Sequence, residues 1–206
     1  MNDSEISEAD ATPPQPVDNR VFVLVLQHPQ EGREALATAA TTVATLRRAK
    51  LVIGLSWPSL SRILGRQVDP KRWGVLYLGS AQPAAREISV LLPGEAPAAD
   101  SEAVLRGLEG IVLLDGTWKQ AKTLWWRNPW LLKLHRLVLR PPHPARLGRL
   151  RREPRRDALS TLEAAALALR HLETTPAAAD ALLSALDWLI APNRRTRVPA
   201  KAGTHR

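Results

Sequence analysis

Cysteine is missing from all 206 residues, so the chain can form neither an internal disulfide nor a thiolate metal site. Aromatic residues are scarce and lopsided, with one Phe and one Tyr against seven Trp. No run approaches the roughly 18 apolar residues that a bilayer span requires, so no membrane association is expected. Residues 1–20 lack the basic, apolar character of a signal peptide; they are acidic and contain Pro. That composition predicts a disordered tail and a cytoplasmic location. Acids are nearly absent from two stretches. Between Lys133 and Arg156 nine Lys/Arg face a single acid, Glu153, and residues 193–206 hold five basic residues and no acid. The net charge of +9 is therefore local, and the rest of the chain is slightly acidic. A basic stripe of this kind suits phosphate; the plainer reading is a solvated loop followed by a basic tail.

What is present has the rhythm of an α/β domain. The length fits one domain, over residues 21–192, between the acidic tail and a basic C-terminal tail at 193–206. Apolar runs of strand length occur at residues 22–26, 51–53, 74–78, 88–92, 111–114 and 137–139. Helical patterns cover residues 31–48, 57–64, 103–108, 117–126 and 160–172, with a last helix after Pro176. Strands alternating with helices predict a mostly parallel sheet with helices on both faces.

Residues 111–131, IVLLDGTWKQAKTLWWRNPWL, are the most informative segment. A buried strand ends in Asp115, Gly116 turns the chain, and Thr117 with Gln120 forms the capping box of a helix. The acid is thus expected at the carboxyl end of a strand, facing the positive end of the helix that follows. Open α/β sheets bind ligands at such places. Asp115-x-Thr117-Trp118, then Lys119-Gln120-Ala121-Lys122 and Asn128-Pro129-x-Leu131, resemble the DTW-domain family, whose members include tRNA-uridine aminocarboxypropyltransferases. Further blocks in the same order support the resemblance: Gln27-His28-Pro29 with Glu31, Leu76-Tyr77-Leu78-Gly79, and Ser160-Thr161-x-Glu163-Ala164.

The resemblance implies a SPOUT-like fold, with a C-terminal trefoil knot that no periodicity would suggest. It implies S-adenosyl-L-methionine as co-substrate, no metal, and tRNA as partner. The 3-amino-3-carboxypropyl group would pass to uridine N3, releasing methylthioadenosine. This chain departs from the family where relatives carry a cysteine cluster, at Ala40-Thr41, at Leu134-His135-Arg136, and at Gly148 ahead of Arg149-Leu150-Arg151.

Asp115 is the candidate catalytic group. It can take the uridine N3 proton, or hold base and cofactor by hydrogen bonds; alternatively it fixes its own turn by accepting backbone N–H bonds. Thr117, Trp118, Leu78, Gly79 and Ser160 are the candidate cofactor-binding residues. Thr117 and Ser160 are equally explained as helix caps, whereas Trp118 can stack on a base. Trp125, Trp126 and Trp130 are read as packing residues. Gln27 and His28 are placed at the same cleft. Arg149, Arg151, Arg136 and Arg140 are the candidate tRNA-binding residues. His135 and His143 have no partner at metal-ligand spacing. An RNA methyltransferase of similar architecture, or a noncatalytic RNA-binding protein, would account for many of the same features. The sequence is silent on oligomeric state.

Overall fold

A computed structural model describes residues 15–31, 37–76, 87–94, 96–143 and 159–195. Six strands form one sheet: β1 (Phe22–Gln27), β2 (Ala49–Ile53), β3 (Trp73–Leu76), β4 (Ile88–Leu91), β5 (Gly110–Asp115) and β6 (His135–Leu139). Six helices join them: α1 (Thr38–Thr45), α2 (Leu60–Leu64), α3 (Ser101–Gly107), α4 (Trp118–Arg127), α5 (Thr161–Leu172) and α6 (Ala177–Arg195). The sheet order is β2-β1-β5-β3-β6-β4, and only the β4–β6 pair is antiparallel. The expected mostly parallel sheet is therefore present.

Strand alternation divides the core into two layers. Val23 and Val25 of β1, with Ile111 and Leu113 of β5, pack under α1, α5 and α6. Leu24, Leu26 and Val112 point the other way, against Leu60 and Ile63 of α2 and Leu124 of α4. Both layers are apolar because a central parallel strand is covered on both sides. At the amino edge the register aligns Phe22, Gly110 and Trp73 across three strands. A Cβ on Gly110 would lie 2.5 Å from the Trp73 ring, so only glycine lets that ring lie across β5. The ring then meets Phe22 at a centroid distance of 5.9 Å.

Several expected boundaries move. Residues 15–20 were expected in the disordered tail but are packed against the domain. Val17 bridges Leu46, and the buried Asn19 side chain bonds the Arg48 backbone through both its oxygen and its nitrogen. The Arg20 guanidinium donates to the carbonyls of Leu108 and Leu172, tying the chain start to two distant elements. The helix expected over 31–48 is described only as α1; it stops at Thr45 because Leu46 turns extended and Ala49 joins the sheet. The third strand is described only to Leu76, since residues 77–86 lie outside the described residues.

One feature of the topology sets apart the carboxyl ends of β1 and β5. β1 and β5 are neighbours, yet β1 leads to α1 on one face and β5 leads to α4 on the other. Connections leaving adjacent strands in opposite directions open a crevice at their carboxyl ends. Gln27 and Asp115, paired in register, are the last residues of those two strands.

Candidate active site

Asp115 ends β5 and is 4% exposed. Its parity matches Ile111 and Leu113, so its carboxylate belongs to the face of α5, not the face of α4. This corrects the expectation that it faces the helix directly following it. One carboxylate oxygen accepts a 2.8 Å bond from Gln27 Nε2. The other accepts a hydrogen bond from the hydroxyl of Thr161, the first residue of α5. The positive end of a helix thus does approach Asp115, but it belongs to a helix 46 residues further along the chain. Both donors are neutral side chains, and among the described residues Asp115 forms no ion pair. The carboxylate's hydrogen bonds come from side chains, so it does not act as a backbone turn fixer; its backbone carbonyl accepts from His28 N at 3.0 Å.

The turn after Asp115 depends on Gly116. Its φ is +151°, and a Cβ there would stand 2.9 Å from Gln120 Cβ. Such closeness lets Gln120 fold back, its Oε1 accepting from Thr117 N at 2.7 Å while Thr117 Oγ1 accepts from Gln120 N. The predicted capping box of α4 is present. Thr117 is therefore exposed with its hydroxyl occupied as a cap. Trp118 starts the helix half-exposed at the carboxyl edge of the sheet.

Ser160 is buried and works inside its own capping box. Its hydroxyl donates to Glu163 Oε2 at 2.8 Å and accepts from Glu163 N. Of the Ser-Thr pair it is Thr161 that reaches the carboxylate, and the sequence reading did not single it out. The available signal is weak: side chains of a helix tilt toward its N-terminus, so the first helical residue as well as the cap can reach beyond the helix start. Gln27, placed at the cleft only as a neighbour of His28, is the second positioning residue.

The candidate RNA-binding residues separate. Arg136 is buried on the α4 face, its guanidinium carbon 5.2 Å from the Trp125 ring centroid, which removes it from any exposed stripe. Arg140 is exposed beyond the end of β6. Arg149, Arg151, Leu78 and Gly79 lie outside the described residues. The Trp residues also divide. Trp130 is buried, its Nε1 donating to Trp57 O at 3.0 Å, and Trp125 is half-buried. Trp126 was expected to pack, yet it is 75% exposed because it lies on the outer side of α4.

Chemically, the site is a desolvated carboxylate held by two donors with a lone pair left on each oxygen. It can accept a proton, accept a further hydrogen bond or face a cation. Among the described residues no group of three or more His, Asp or Glu is arranged to hold a metal ion, and no helix is long and apolar enough to cross a membrane.

Three relatives are tRNA-uridine aminocarboxypropyltransferase 2 of different animals. The protein of Drosophila melanogaster is 30% identical over 185 residues, covering 86% of this chain and 65% of its own length. Those of Macaca fascicularis and Mus musculus are each 27% identical, covering 86% of this chain and 56% of their own. The chain thus spans about six-tenths of the length of these relatives. No solved structure matches it. The sequence model of the DTW domain matches residues 8–193, from ahead of β1 almost to the end of α6. A match over so much of the chain shows the family, and this protein belongs to the DTW domain family.

Proposed function

We propose that this protein transfers the 3-amino-3-carboxypropyl group of S-adenosyl-L-methionine to N3 of a uridine in tRNA, releasing methylthioadenosine. The observation that carries the reading is the buried Asp115 carboxylate, held by Gln27 and Thr161 at the switch point between β1 and β5. The relatives' shared name supplies the reaction class.

The chemistry of the site fits such a donor. A carboxylate with no cation among the described residues suits a ligand bearing an ammonium and a sulfonium. Trp118, half-exposed at the start of α4, offers a flat aromatic face on which a base can stack. Leu78 and Gly79, following the third strand, are the expected second wall. When bound, the donor supplies a carbon made electrophilic by its neighbouring sulfonium.

The protein's residues do the remaining work. Uridine N3 attacks poorly while protonated, and Asp115 accepts that proton. Gln27 and Thr161 fix the carboxylate so that a free lone pair faces the crevice, which costs no reorganisation during reaction. Ser160 and Glu163 act one step back by fixing the start of α5, and hence Thr161. Arg149, Arg151 and Arg140 contribute charge for tRNA phosphates. A SPOUT-like fold with a C-terminal knot and a cytoplasmic location complete the reading.

The deciding experiment supplies unmodified tRNA with S-adenosylmethionine labelled either in the carboxyl carbon or in the methyl. Carboxyl label in a tRNA uridine is expected, and Asp115→Asn should abolish it while tRNA affinity and the thermal melt persist. Methyl label in the RNA would make the protein a methyltransferase. Neither label, with tRNA bound, would leave a binding protein.

A further inference from the structure

Beyond Trp118, the outer face of α4 has no role in the reaction as drawn, and its make-up is unusual. Of its ten residues, WKQAKTLWWR, none is acidic. Ala121 and Leu124 turn inward to the core, while Trp118, Lys119, Lys122, Trp126 and Arg127 are exposed. Trp118, Lys122 and Trp126 follow at four-residue intervals, so one helix face alternates ring, cation and ring. Among the described residues, Lys119, Lys122 and Arg127 form no salt bridge with an acid, and Ser56 bonds Arg127 only through its backbone carbonyl. An indole left 75% exposed between cations is costly to solvate and gains nothing from the fold.

From this face we infer that α4 is a docking track for single-stranded RNA, with unpaired bases stacking on Trp126 and Trp118 and phosphates lying along Lys119, Lys122 and Arg127. Three observations favour this partner. The charge is of one sign, as a polyanion requires. Alternating aromatic and basic residues form the usual platform for unpaired bases. The track begins close to the candidate active site in the chain, because Trp118 follows Asp115 by three residues, across the turn at the carboxyl end of β5. Spacing selects against duplex RNA. Eight residues of helix set the two rings about 12 Å apart along the axis, whereas bases stacked in a duplex strand repeat at roughly 3.4 Å. Only a strand with splayed bases meets both rings. A uridine to be modified at N3 must itself be unpaired, since N3 lies on its pairing edge. The inference rests on the proposed reaction for its substrate class, but the docking itself is independent of chemistry.

The test uses the whole chain with a fluorescent single-stranded oligoribonucleotide, and a blunt duplex of equal length as control. Trp126→Ala should weaken single-strand binding about tenfold, leave duplex binding unaffected and quench less on binding; Trp126→Phe should recover most of the loss. Lys119→Ala with Lys122→Ala should flatten the salt dependence, lowering the slope of log K against log salt by about 1.4 for two phosphate contacts. An unchanged melt for Trp126→Ala is expected from its exposure. In the transfer assay, Trp126→Ala should raise KM for tRNA and leave kcat in place. Wild-type affinity and KM in Trp126→Ala would overturn the track while leaving the proposed reaction standing. Loss of single-strand binding in a protein that transfers nothing would leave the track and remove the reaction. A dimer in sedimentation that Trp126→Ala dissociates, with RNA affinity unchanged, would make this face a self-association surface and overturn the inference.

Discussion

Thr161 shows how a single hydroxyl can govern a buried charge. It provides one of two donors to a carboxylate that is 4% exposed. Thr161→Val keeps the shape and removes the donor. Leaving a buried acceptor short costs on the order of 1–3 kcal/mol, so denaturant unfolding should register a loss of that size. Turnover should fall as well, with tRNA affinity retained, because a carboxylate held only by Gln27 can rotate away from the crevice. Thr161→Ser should behave almost as the parent. If Thr161→Val turned over normally, the hydroxyl would be a packing feature alone. Sequence made Asp115 and the Ser-Thr-x-Glu block visible separately. It gave no reason to join them, because they are 46 residues apart and meet only through the placement of α5.

Two helices here start with the same capping pattern, yet the patterns do different work. At α4 the box is exposed, and the bond from Gln120 N to Thr117 Oγ1 is 3.4 Å long. At α5 the box is buried, and Ser160 makes three contacts with Glu163, a carboxylate 6% exposed. Thr117→Ala should cost about 1 kcal/mol, the ordinary value of a cap. Ser160→Ala should cost more, on the order of 2 kcal/mol, since it takes a donor from a buried charge. It should also lower turnover by loosening Thr161. Thermal melts of the two variants, measured side by side, check the order; equal losses would remove the distinction. Element ends in the sequence reading were mostly right within a few residues, because caps and apolar runs are local signals. The long helix expected from residue 31 failed at its C-terminal end for the opposite reason: Leu46 and Ala49 were claimed by Val17 and by β1, partners that no local window contains.

At the scale of the whole molecule, charge and topology act together. The carboxyl edge of the sheet carries the buried acid, while α4 and Arg140 after β6 bring basic residues to segments that leave that edge; Arg149 and Arg151 lie outside the described residues. If this arrangement serves tRNA phosphates, the double variant Arg149→Ala, Arg151→Ala should weaken tRNA binding across all tRNAs. It should also reduce the slope of log K against log salt by about two. An unchanged slope would return those arginines to the role of a solvated loop. Arg136 is exempt from this test because it is buried against Trp125, where its charge serves the packing of α4 on the sheet.

The class of fold, the strand that ends in Asp115, both capping boxes and the family are legible in the chain alone, because each is written in residues close together. Packing of the folded chain set which way Asp115 turns, since strand parity relative to two apolar layers fixes the face. It also decided which helix meets that carboxylate, which Trp is core and which is surface, and which arginine is buried. Those outcomes depend on which distant elements pack together, and a side chain's chemistry is the same whether its neighbour is water, a ring or an acid.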